Sequence, residues 1–214
     1  MKKNKMIGYK IIKTIVGPFF RIYYNPKIIG ANNIPKEGAI IVAGNHRHTL
    51  DQHNVSLATK RPIRYLAKKE YFDGQASILG KTNKITIAIT KWFVNAVGCI
   101  RVDRDIKDTE ATDKAVEVLN NKEAIGIFPE GTRNTTEDLL LPFKFGTVSL
   151  AAKTDAYIVP FAQTGDFKFR SKNLIIRFGE PFKVNNMNLE EANKKLQDII
   201  ELLMLENLKE EDSN

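Results

Sequence analysis

The chain has 214 residues, 43% of them hydrophobic and 27% charged, enough for one globular domain with a sizeable core, with or without a terminal appendage. Its one cysteine, Cys99, excludes an internal disulfide and suits a reducing compartment, and no run reaches the ~20 apolar residues that a bilayer-spanning helix needs. A formal net charge of +8 favours anionic partners, whether a phospholipid surface, a nucleic acid or a phosphorylated metabolite.

The excess charge begins at the start of the chain. Lys2, Lys3, Lys5, Lys10, Lys13, Arg21 and Lys27 all precede the first acidic residue, Glu37. Ile7, Ile11, Ile15, Phe19 and Ile22 recur at helical spacing, which sets them on one face with Lys3, Lys10, Lys13 and Arg21 opposite. Such a helix either lies on anionic lipid or packs on its own domain. Gly17-Pro18 is expected to kink or divide it. Lys13 interrupts the apolar stretch and no small-residue cleavage site follows, which disfavours a secretory signal. The chain therefore divides into an amphipathic N-terminal helical segment, residues 1–25, and one domain, residues 26–214.

Past that segment, short apolar runs alternate with helical patterns. Residues 39–43 and 63–67 read as strands, and 85–100 as a buried or membrane-touching helix carrying Lys91, followed by a strand at 100–102. A helix is expected at 109–121, a strand at 124–128, a helix at 145–153, strands at 157–161 and 174–178, and a long helix at 189–208. The acidic stretch 206–214 is expected to fray. The alternation predicts an α/β domain, its central sheet mostly parallel or mixed and flanked by helices, with the N-terminal amphipathic helix as a membrane-docking segment.

All three histidines fall between His46 and His53. A neutral imidazole takes a hydroxyl proton near pH 7, and a carboxylate on its other nitrogen fixes the tautomer and steadies the imidazolium. His46 and Asp51 suit those roles, but five residues on a regular helix would put them on different faces. The pair therefore requires His46 in a strand-to-helix turn with Asp51 reaching back from the first helical turn. A zinc site built from His46, His48, Asp51 and His53, or a purely structural His46, remain alternatives.

A second cluster, Phe128-Pro129-Glu130-Gly131-Thr132-Arg133, follows a strand. Glycine permits close approach, threonine offers a hydroxyl and arginine a fork matched to phosphate oxygens. Arg104 and Lys144 add positive charge if the fold brings them to the same rim, and strand ends in open α/β sheets gather ligands. The alternative pairs Arg104 with Asp103 or Asp105 and Arg133 with Glu137. Glycine-rich nucleotide cradles and a Gly-x-Ser-x-Gly elbow are absent, and Cys99 reads as core.

Taken together these segments resemble the glycerolipid acyltransferase family of bacterial 1-acyl-sn-glycerol-3-phosphate acyltransferases, the PlsC-like proteins. Asn45-His46 through Asp51 is similar to that family's Asn-His-x4-Asp block, Gly98 to Arg104 to its second, Phe128 to Arg133 to its third and Ile158-Val159-Pro160-Phe161 to its fourth. The family often has serine where this chain has His48 and Asn134; neither departure falls on a residue assigned chemistry.

The resemblance implies an O-acyltransferase that moves a fatty acyl group from acyl-carrier protein or coenzyme A thioester to lysophosphatidic acid. His46 would be general base and Asp51 its orienting acid. Arg104, Glu130, Gly131, Thr132, Arg133 and Lys144 would seat the glycerol phosphate, and Pro160 would shape a pocket. It implies no metal, no cofactor beyond the thioester co-substrate, no covalent acyl-enzyme and no nucleic acid. The expected location is the cytoplasmic face of the cell membrane, peripherally bound to an anionic surface. Rivals are transfer to glycerol 3-phosphate or another lysolipid, a zinc-dependent hydrolase, and a non-catalytic basic binding protein.

Overall fold

A computed structural model describes residues 7–171 and 173–212. Lys2, Lys3 and Lys5 of the basic start lie outside the described residues. Among the described residues seven strands form one sheet in the order β1-β7-β6-β2-β5-β3-β4. They are β1 (Lys27–Ile29), β2 (Ile40–Gly44), β3 (Ile63–Lys68), β4 (Ile100–Val102), β5 (Ala124–Ile127), β6 (Tyr157–Thr164) and β7 (Ile175–Phe178). Every pairing is parallel except β6 with β7, so the sheet is mixed and mostly parallel, as expected.

The helices cover both faces. They are α1 (Ile7–Tyr24), α2 (Asp51–Ala58), α3 (Lys69–Asp73), α4 (Lys84–Ala96), α5 (Thr109–Asn120), α6 (Gly146–Thr154) and α7 (Leu189–Asp212). β2 shows why its sequence is apolar without alternation: Ile41 and Ala43 enter the core shared with α5, α6 and α7, while Ile40 and Val42 enter the opposite core with Val55 of α2. At its end, a Cβ on Gly44 would fall 2.5 Å from the Phe161 ring and carbonyl, so only glycine fits beside β6.

Several expectations change. Pro18 does not divide α1, which runs unbroken past it with that residue exposed. The acidic C-terminal stretch continues as helix to Asp212. Arg177 donates to Glu210 at 2.6 Å and lies 3.4 Å from Glu206, and Lys27 reaches Glu210 at 2.5 Å. Those acids answer basic strand ends, which is what holds the last turns. β1 and α3 were not foreseen; β1 has only three residues and gains its ladder from β7.

α1 packs on the domain by one side and leaves its apolar stripe uncovered. Tyr9 and Phe20 are buried against the domain, whereas Ile11, Ile15, Phe19 and Ile22 are bare. α4 is set by a capping box: Asn83 Oδ1 accepts from the Ile85 and Thr86 N–H groups, and Thr86 Oγ1 accepts from the Asn83 N–H.

Candidate active site

The parallel strands bring β2, β4, β5 and β6 to a common carboxyl edge, and the chain beyond that edge builds the site. After β2 stops at Gly44, residues 45–50 turn over the edge and α2 starts at Asp51. Asp51 is 1% exposed. Its Oδ2 accepts from the main-chain N–H of Arg47 and of His48, each at 2.8 Å, and stands 2.8 Å from His46 Nδ1. A carboxylate at a helix start is also favoured by the helix dipole. With Nδ1 donating to Asp51, the lone pair of the neutral ring lies on Nε2.

The ring itself is wedged. It stacks on Phe128 with centroids 4.0 Å apart and planes 11° from parallel, and Tyr65 lies behind Phe128 at 5.8 Å. The His46 side chain keeps 17% exposure, so one edge meets the surface. Its main chain is gripped twice from the loop after β5. The His46 N–H donates to Glu130 Oε1 at 2.7 Å, and the His46 carbonyl accepts from the Asn134 N–H at 2.7 Å. Glu130 is buried, and its second oxygen accepts from the Leu141 N–H at 3.0 Å. Burial pushes the Glu130 pKa up, while those two N–H donors pull it the other way. Both oxygens being taken, Glu130 acts on the loop geometry and presents no bare carboxylate to a ligand.

Positive charge collects around Gly131. Arg104 Nη1 donates to the Gly131 carbonyl at 3.0 Å, and Arg133 Nη1 donates to Thr49 Oγ1, inside the histidine turn, at 3.0 Å. Gly131 has φ +71°, and a side chain there would collide with the end of Lys144. Thr132 is exposed at the loop tip. The alternative ion pairs do not form: Lys69 takes both Asp103, at 2.7 Å, and Asp105, at 3.4 Å. Among the described residues neither Arg104 nor Arg133 has a carboxylate within 4 Å. Three cations therefore face one loop beside His46.

Pro160 stands apart from this group. It is buried in β6 and packs toward Gly179 beneath α7, not around His46. The histidines also separate. His48 stacks on Phe167 at 4.3 Å, and His53 faces Phe20 at 5.6 Å. Among the described residues no three histidine, cysteine or acidic side chains gather as a zinc site requires. Burial of its sulfur pushes the Cys99 thiol up to about 12, but the residue is only half-buried and joins neither core cluster, at the border of the core expected for it.

Some participants were not read from the sequence. Gln163, at the end of β6, donates its N–H to Asn45 Oδ1 at 2.8 Å, accepts from Asn45 Nδ2 at its carbonyl at 2.9 Å, and takes Asn54 Nδ2 at Oε1 at 3.1 Å. This buried network pins the histidine turn to β6. A polar residue closing an apolar strand was its only signal. His48 and Asn134 reach the pair only through their main-chain N–H groups, which serine would supply equally, while their side chains turn to Phe167 and to the Asp138 carbonyl. Beside the turn, an apolar cavity of about 280 Å³ opens between α1 and α2, lined by Phe19, Phe20, Tyr23, Leu50 and His53.

Residues 25–164 match the family described as Acyltransferase. Over 154 residues the chain is 32% identical to a 1-acyl-sn-glycerol-3-phosphate acyltransferase of Borreliella burgdorferi, covering 71% of this chain and 56% of that protein. A yeast protein of the same name, from Saccharomyces cerevisiae, is 28% identical, with 94% of this chain and 64% of that one covered. One from Bacillus subtilis is 30% identical, with 72% of each covered. The match thus spans less than two thirds of the length of the first two relatives. The crystal structure of the 1-acyl-sn-glycerophosphate (LPA) acyltransferase, PlsC, from Thermotoga maritima superposes with a TM-score of 0.71 at 23% identity, covering 94% of this chain and 79% of that one, which establishes the shared fold.

Proposed function

The chain belongs to the acyltransferase family, and from that premise we propose that it moves a fatty acyl group from an acyl thioester to the sn-2 hydroxyl of 1-acyl-sn-glycerol 3-phosphate, giving phosphatidic acid. The observation that carries the reading is the hold on His46. Asp51 orients its ring, Glu130 and Asn134 clamp its main chain, and that same loop carries Arg133 and Lys144 and receives Arg104 from the end of β4.

In the proposed reaction Nε2 of His46 takes the hydroxyl proton as the acceptor oxygen attacks the thioester carbonyl. The tetrahedral intermediate collapses, the carbon–sulfur bond breaks, and the imidazolium returns its proton to the departing thiolate of acyl-carrier protein or coenzyme A. Asp51 stabilises the imidazolium between those steps. A thioester is already activated, so a base and good positioning suffice, and no covalent acyl-enzyme or metal enters the reaction. Arg104, Arg133 and Lys144 hold the acceptor phosphate, with Gly131 and Thr132 shaping its cradle and Glu130 as a positioning residue. Pro160 contributes through the sheet that carries the site.

The acceptor is a lipid, so working at the membrane surface avoids drawing its chain into water. We assign residues 1–25 to docking through the bare face of α1 and residues 26–214 to the acyltransferase domain, at the cytoplasmic face of the membrane. No helix among the described residues is long and apolar enough to cross a membrane. The apolar cavity between α1 and the histidine turn suits the acceptor chain.

The test offers the purified protein lysophosphatidic acid, glycerol 3-phosphate and another lysolipid in turn, each with both thioester donors. Phosphatidic acid formation should fall about a hundred- to ten-thousandfold in His46→Ala and Asp51→Asn, with the thermal midpoint little changed. Full activity in His46→Ala would overturn the mechanism, and preference for a different acceptor would overturn the substrate.

A further inference from the structure

Two stretches of this chain contain no acidic residue at all for long distances. Residues 1–36 carry eight basic and no acidic side chains, and residues 74–102 carry four and none. The rest holds 21 basic against 25 acidic side chains, so the whole positive excess of the molecule resides in these two segments. They are also the segments that contain α1 and α4.

α4 leaves a large apolar face uncovered. Ile85 is 72% exposed and Trp92 62%, with Ile89 between them. These three and Ala96 recur at i, i+4, i+7 and i+11, which is one stripe of a helix. The opposite side is committed to the fold: Thr90 and Val94 are buried, and Thr90 Oγ1 accepts from the Ile78 N–H at 3.1 Å. The bare stripe meets α1 at its last turn, where a Cβ on Gly8 would fall 2.7 Å from the Ala96 carbonyl. Ile7 and Ile11 flank that contact on α1. An open groove of about 590 Å³ runs along α4 past Ala88, Lys91 and Trp92 to the same junction.

We propose that α4 is a second membrane-contacting helix, joined to α1 at Gly8 and Ala96, and that its occupant is an anionic phospholipid surface with Trp92 in the headgroup layer. This rests on the reading that the protein works at a membrane. Contiguous exposed apolar side chains of this size mark an interaction surface. The flanking Lys81, Lys84 and Lys91, with no acid nearby in sequence, match lipid phosphates, and tryptophan is favoured at the border between headgroups and acyl chains. A second copy of this chain answers the apolar stripe but not the charge, since pairing would bring two basic flanks together.

Trp92 is the only tryptophan, so its fluorescence reports on α4 alone. The full-length protein is mixed with phosphatidylcholine vesicles with and without phosphatidylglycerol, containing neither lysolipid nor thioester. With the anionic vesicles the emission should move to shorter wavelength, brominated acyl chains should quench it, and added salt should reverse both. Ile85→Glu with Ile89→Glu, both exposed positions, should weaken vesicle binding roughly tenfold or more. The same variant should leave transfer to a short-chain, water-soluble lysophosphatidic acid unchanged. Vesicle binding with unshifted, unquenched emission overturns the role of α4. A shift that follows protein concentration without lipid makes the face a self-association surface and overturns the assignment too. Because no substrate is present, these outcomes do not depend on which reaction the site performs.

Discussion

Asp51 Oδ2 meets three nitrogens at 2.8 Å, those of the His46 ring and the Arg47 and His48 main chain, so one buried atom shapes the turn and orients the ring. Glu130 performs the matching task from the other side of the cleft. Glu130→Gln replaces one acceptor with a donor, leaving the N–H of His46 or Leu141 facing an amide N–H. An unpaired buried group costs about 1–3 kcal/mol, so the variant should lose thermal stability and its kcat should fall more than its KM changes. A KM effect alone, measured against acceptor concentration, would instead make Glu130 a ligand. The spacing of His46 and Asp51 was legible because it required a strand-to-helix turn, which β2 and α2 supply. Glu130 as a strut was not legible, since its partners stand 84 and 11 residues away.

At the level of elements, α7 closes one face of the sheet with Ala192, Leu196, Ile200 and Met204, a buried stripe at helical spacing. Leu196 is fully buried, and Leu196→Ala should cost about 2–5 kcal/mol in urea unfolding while leaving the His46 pair in place. On the other face, burial between Phe20 and Phe93 lowers the pKa of His53. Below the unfolded value near 6.5 the unfolded chain then binds a proton that the folded chain resists. Stability from α1–α2 packing is therefore complete above about pH 6.5 and falls as pH drops toward the lowered folded value. His53→Gln should flatten that slope by up to about one proton, read from urea midpoints at about pH 7.5 and about pH 5.5. An unchanged slope would show that His53 titrates normally. Most strands and helices were legible from apolar runs and periodicity. β1 was not, because three residues carry no pattern and its neighbour, β7, lies far along the chain.

For the molecule as a whole, charge and apolar exposure are arranged together. The acid-free segments hold the bare faces of α1 and α4, and the remaining chain is acidic on balance. Binding to anionic vesicles should therefore weaken steeply with salt, and Ile11→Glu with Ile15→Glu should weaken it further, by sedimentation with vesicles. Point changes serve better than removing residues 1–25, because Tyr9 and Phe20 are buried and truncation would open the core. Binding that ignores both salt and these changes would remove α1 from the docking surface.

Most of the order of elements and the pairing of His46 with Asp51 were determined by sequence alone, since periodicity, turn chemistry and strand ends act over a few residues. Only the tertiary structure decided that Glu130 and Asn134 clamp His46, that Gln163 anchors the turn, that Pro160 lies away from it, and which faces of α1 and α4 stay bare. Those contacts join residues dozens of positions apart. Sheet register and helix packing set them, and no local pattern records either.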